Sequence, residues 1–136
     1  MLFRSESRVF RIEQTGSFEN GGQARRACLL HAEKLIDGQI GFVVDDRDVA
    51  QVYFREIANL PEADRRSLRR KQRLYLEEWV HLLDELREDL DDTEARVVVH
   101  AAISAIQSTL FHSNSLPPGR LRQLLTDAAR SVLGCG

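Results

Sequence analysis

The chain has 136 residues, a formal net charge of −2 and a pI near 6.1. That length supports one domain with a real core, and the charge excludes the overall basic footprint of most nucleic-acid-binding domains. Cys28 and Cys135 sit too far apart for a zinc spacing or a disulfide framework. Met1 to Arg11 carries Arg4, Glu6, Arg8 and Arg11 without the apolar stretch of a signal peptide. A cytoplasmic protein with reduced thiols is expected.

Residues 1–22 carry Phe3, Val9, Phe10, Ile12 and Phe18 among the helix breakers Gly16, Asn20, Gly21 and Gly22. A poorly defined N-terminal segment is expected there, ahead of one helical domain over residues 23–136. From Gln23 to Asp37, Ala24, Ala27, Cys28, Leu30, Ala32 and Leu35 recur at helical spacing, and Gly38 predicts a stop. Ile40 to Val44 has strand-like composition, but no other segment offers it a partner, so it is read as a buried connector. Asp45, Asp46 and Asp48 are N-cap candidates for a helix through Val49, Val52, Tyr53, Ile57 and Leu60.

Pro61 suits the first turn of the next helix, where a missing N–H costs nothing, and Glu62 and Asp64 suit its positive end. This helix is predicted from Pro61 to about Leu90, with Leu68, Tyr75, Trp79, Leu82, Leu86 and Leu90 in one stripe and Leu76 and Leu83 at its edge. Asp91 and Glu94 have capping-box spacing, which places the break at Leu90 to Asp92.

The helix predicted from Glu94 to Phe111 has two apolar faces. Val99, Ile103, Ile106 and Leu110 form a stripe of large aliphatics. Val98, Ala101, Ala102, Ala105, Ser108 and Thr109 form a second of mostly small side chains. A helix apolar on two sides must be buried on two sides, so a second subunit is expected against the small face. Beside the large stripe, Arg96, His100, Ser104, Gln107 and Phe111 set polar groups next to apolar ones, as a small-molecule pocket does; a partly exposed helix edge gives the same pattern. SNSLPPGR reads as a loop into a last helix carrying Leu121, Leu124, Leu125, Ala128 and Val132, ended by Gly134. The fold class expected is all-α, an antiparallel bundle of five to six helices.

Little here points to catalysis. Glu78 and His81 make one Glu-x-x-His pair, whereas a di-iron carboxylate site needs two such pairs and two further glutamates. No nucleophile-elbow, zincin, Walker or dinucleotide fingerprint occurs. Arg65, Arg66, Arg69, Arg70 and Arg73 share one helix face. A solvated face paired with neighbouring acids is the plain reading, and phosphate or an anionic ligand such as a coenzyme A thioester the alternative.

The stretch VYFREIANLP (Val52 to Pro61), followed by a long helix with RLYLEEWVHLLDEL, resembles the regulatory domain of TetR-family bacterial repressors. The resemblance covers Gln23 to Leu133. It rests on an arginine–glutamate helix end (Arg55, Glu56), a leucine–proline turn (Leu60, Pro61), a long helix with Tyr75 and Trp79, and two final helices over Glu94 to Phe111 and Pro118 to Leu133. It implies a ligand-sensing and dimerisation domain acting in transcriptional regulation; with the motifs of catalysis missing, no cofactor, metal or enzymatic activity is expected. Assigned by helix face and position, the candidate pocket residues are Tyr53, Tyr75, Trp79, Leu82, His100, Ile103 and Gln107. The candidate dimer residues are Val98, Ala101, Ala102, Ala105, Ser108 and Thr109, with Leu121, Leu125, Ala128 and Val132 from the last helix. The implied partners are a second copy and a small hydrophobic or acyl-type ligand. The family's N-terminal helix-turn-helix head has no counterpart beyond Phe3, Arg4, Ser5 and Glu6, which faintly match the turn after its recognition helix. The expectation is therefore no specific DNA binding by this chain alone. The runner-up reading is a dimerisation module without a ligand, pairing with a full-length relative; a helical metal enzyme is the remote third.

Overall fold

A computed structural model describes residues 21–134 as five α-helices: α1 (Gly21–Val44), α2 (Arg47–Glu56), α3 (Glu62–Leu86), α4 (Asp92–Gln107) and α5 (Pro118–Leu133), with a 3₁₀ turn over Ile57–Asn59. The expectations for residues 1–20 lie outside the described residues. Among the described residues no helix is long and apolar enough to cross a membrane.

α1 corrects the first expectation. It includes Gly21 and Gly22, and it does not stop at Gly38 but runs to Val44. Its buried positions are His31, Ala32, Leu35, Ile36, Gln39, Ile40 and Val43, an unbroken i, i+3, i+4 pattern through the supposed connector. Gly38 faces solvent, with no atom within 4 Å of where a Cβ would stand. A mid-helix glycine costs about 1 kcal/mol against alanine. Burying Ile40 and Val43 returns roughly 1.5–3 kcal/mol each, so the stripe wins over the local breaker.

The corner into α2 is closed by Gly41, whose carbonyl accepts from the Asp45 and Asp46 amides at 2.9 and 3.2 Å. Asp46 occupies the N-cap of α2 without a side-chain cap bond, while Asp45 forms an ion pair with Arg122 of α5. Pro61 is the N-cap of α3, its carbonyl accepting from the Arg65 amide at 2.9 Å.

α3 ends at Leu86, short of the predicted Leu90. Arg87 takes the chain out of the helix: its guanidinium clasps Asp89 at 2.6 and 2.8 Å and donates to the Leu133 carbonyl of α5 at 2.9 Å. The capping box forms, with the Glu94 amide donating to Asp91 Oδ1 at 2.8 Å and the Asp91 amide to Glu94 Oε1 at 3.0 Å. α4 accordingly begins at Asp92, and it closes at Gln107 rather than Phe111. Gly134 ends α5 at φ 70°, a left-handed cap.

α4 packs most extensively on α5, while α1 lies against α3 and α5 and α3 against α4. The core they enclose includes Leu35, Ile40, Trp79, Leu82, Val99, Ile106 and Leu125. Arg130 of α5 binds Glu33 of α1 bidentately at 2.7 and 2.8 Å, fixing the angle between these helices as well as their distance.

A candidate effector cleft between four helices

Where α2 closes over the bundle, α1, α3 and α4 leave a cleft of about 220 Å³. α1 supplies Gln39, α2 Tyr53 and Phe54, α3 Gln72, Tyr75 and Leu76, and α4 His100, Ile103, Ser104 and Gln107. The α4 residues recur at helical spacing along one edge, which puts them on one wall.

Two short hydrogen-bonded chains organise the polar groups. Gln107 donates to Gln39 Oε1 at 3.5 Å, and Gln39 Nε2 donates to the Tyr75 hydroxyl at 3.0 Å. Across the cleft Gln72 donates to the Tyr53 hydroxyl at 2.9 Å. Burial pushes the Tyr53 phenol up from its ordinary value, against the smaller opposing effect of the Gln72 bond, so at neutral pH it keeps its proton. Phe42, Tyr53 and Phe54 form an aromatic cluster at the α1–α2 corner, with centroids 5.0–6.5 Å apart and Tyr53 edge-to-face with both phenylalanines. No carboxylate, guanidinium or ammonium group lines the cleft. Its apolar walls with neutral amide and hydroxyl tips suit the body of a mostly apolar small molecule.

The chain matches the family described as Tetracyclin repressor-like, C-terminal domain over residues 33–110, more than half its length and every wall of the cleft. The chain belongs to this family. No curated protein matches it.

Of the pocket residues proposed from the sequence, this repressor-like domain brings Tyr53, Tyr75, His100, Ile103 and Gln107 to the cleft. Trp79 and Leu82 do not reach it. They turn to the other side of α3, beside Ala32, Leu35 and Leu133, because α1 and α5 cover that face. Trp79 stays in touch through Tyr75, whose ring it meets edge-on at 6.3 Å. Sequence reasoning missed Gln39, Phe54, Gln72 and Leu76. A polar residue inside the apolar stripe of α1 was the available signal for Gln39, and Gln72 lies one turn before Tyr75 on the same face.

The proposed dimer residues divide. Ala102, Leu121 and Leu125 are buried in the domain's own core, since α5 folds back onto α4 and uses part of the small face itself. Ala101 and Ser108 are exposed, and Val98, Ala105, Thr109, Ala128 and Val132 are half-buried. Val97 and Leu124, 64% and 39% exposed, extend the outward faces of these two helices. In α5 the inward row is Leu121, Leu125, Ala129 and Leu133, which leaves Leu124, Ala128 and Val132 on the outer side.

The Glu-x-x-His pair separates as well. Glu78 turns under α1 to the fully buried His31, 3.8 Å away, while His81 is exposed. His31 lies on the α1 stripe, three residues after Cys28 and four before Leu35, so its burial was readable from spacing. Among the described residues no three His, Cys, Asp or Glu side chains are grouped to hold a metal ion.

Proposed function

We propose that the domain senses a small, mostly apolar effector in the α1–α4 cleft and dimerises through the outer faces of α4 and α5, as the regulatory half of a TetR-type transcriptional regulator. The observation that carries this reading is the cleft itself: a void whose α4 wall belongs to the same helix that presents Val97 and Ala101 outward. An occupant pressing on His100, Ile103 and Gln107 acts on a helix that also forms the subunit contact. It biases the arrangement of two subunits only if it binds one arrangement better than the other.

A thermal-shift screen of small alcohols and aromatics against wild type and Ile103→Trp tests the reading. Effectors should stabilise the wild type, by about 2.7 kcal/mol at a hundredfold excess over Kd, and leave the filled variant unmoved. A broad screen that stabilises neither protein would favour the dimerisation module without a ligand.

A further inference from the structure

We infer that the effector is an anionic amphiphile, its apolar body in the cleft and its acidic head on Arg69 and Arg73 of α3. This inference rests on the effector reading above and deepens it. Three residues of the cleft wall face a second cavity. Gln72, Leu76 and His100 also line a groove between α3 and α4 that carries three cations, Arg69, Arg73 and Arg96, against one carboxylate, Glu77. Gln72 and Arg69 line a further groove beside Ile57 and Ala58. A molecule leaving the cleft past Leu76 and His100 therefore meets the arginine face directly.

The charges in this region are unevenly matched. Arg65 and Arg66 pair with Glu62. Arg96 is held by Glu77 at 2.5 and 3.1 Å and by Asp92 at 2.9 Å, which occupies both Glu77 oxygens. Among the described residues neither Arg69 nor Arg73 has a carboxylate within 4 Å. They lie four residues apart on one helix, so their guanidinium groups reach one locus and can share one carboxylate or phosphate through charge-assisted hydrogen bonds. The cleft lining holds no guanidinium or ammonium group. An anion pushed inside it would be desolvated with no arginine or lysine beside it. Body and head are thus sorted to different ends of one continuous site.

Calorimetric titration of the chain with decanoate, decyl phosphate and 1-decanol at pH 7 and low salt tests this. At least one of the two acids should bind about tenfold more tightly than the alcohol, and which acid binds better identifies the head. Arg69→Gln with Arg73→Gln should bring the acids down to the alcohol and leave the alcohol unchanged. Equal binding of all three to the wild type overturns the anionic head and leaves the cleft reading standing. Binding of none overturns both. Ile103→Trp, or Ser104→Phe at the mouth should the first variant unfold, must abolish decanoate binding with the arginines intact. Decanoate affinity unchanged in a folded blocked variant marks mere surface adsorption and overturns the proposal.

Discussion

Arg47 of α2 holds Thr109, just beyond the last turn of α4: its Nη1 donates to the Thr109 carbonyl at 2.8 Å. Its Nη2 reaches the Leu110 and His112 carbonyls at 3.1 and 2.9 Å, and Gln51 adds a bond to Leu110 O at 2.6 Å. These carbonyls follow the negative end of α4, where a cation is favoured. The clamp ties the helix that closes the cleft to the helix that carries the outer small face.

Arg47→Ala should therefore destabilise the domain by about 1.5–3 kcal/mol, the range for hydrogen bonds to a charged group. Arg47→Lys should recover less than half of that loss, because one ammonium cannot span three carbonyls as the planar fork does. Urea denaturation monitored by circular dichroism measures both. Equal stability of wild type and Arg47→Ala would mean that water replaces the clamp.

This clamp shows where sequence reading stops. Helical spacing announced the core of α3 and the cap at Asp91, because period and cap are local chemistry. Even the wall formed by His100, Ser104 and Gln107 was visible as a strip on one helix. Arg47 meeting Thr109 is not local, since it depends on how α2 folds across the bundle. The same limit misplaced Trp79, Leu82 and Ala102: each projects from an apolar face, but which neighbour covers that face is decided by packing. Gly38 failed for the opposite reason, a local preference overruled by the burial of Ile40 and Val43.

The Glu77–Arg96 pair should make stability depend on acid. The Arg96 guanidinium hydrogen-bonds Glu77 and holds its carboxyl below the ordinary glutamate value of 4.5, outweighing partial burial, which raises it. A folded-state value below the unfolded one means that the contribution is present above the unfolded value and is lost as pH falls through the folded one. Glu77→Gln should lower the urea midpoint slightly at pH 7, within the small range of exposed pairs. The difference from wild type should vanish below the lowered value, and added salt should shrink it at pH 7. A gap between the two proteins that widens on acidification would contradict the assignment.

Val97→Arg with Ala101→Arg tests the dimer face without touching the core, since both positions are exposed in the isolated chain. Each adds a charge that an intersubunit contact would bury unpaired. Sedimentation should show the wild type as a dimer at tens of micromolar (roughly ten times a micromolar Kd) and the variant as a folded monomer. A variant that stays dimeric would move the interface elsewhere on the molecule.

Two neighbouring tryptophan substitutions separate cleft from core most sharply. Ala102 and Ile103 both belong to the core cluster, but Ala102 has no exposure and lines no part of the cleft, whereas Ile103 also borders it. Ala102→Trp must force an indole into packed side chains and should cost at least about 1–3 kcal/mol. Ile103→Trp can turn its extra volume into a void of about 220 Å³, so its cost should stay below about 1 kcal/mol, the low end of overpacking. In that variant 1-decanol should no longer raise the melting temperature, because the space it would occupy is filled. The two outcomes are opposed by design, although the residues are adjacent in sequence. If Ile103→Trp unfolds the domain as readily as Ala102→Trp, position 103 packs as core rather than as cleft wall, and blocking the cleft falls to Ser104→Phe.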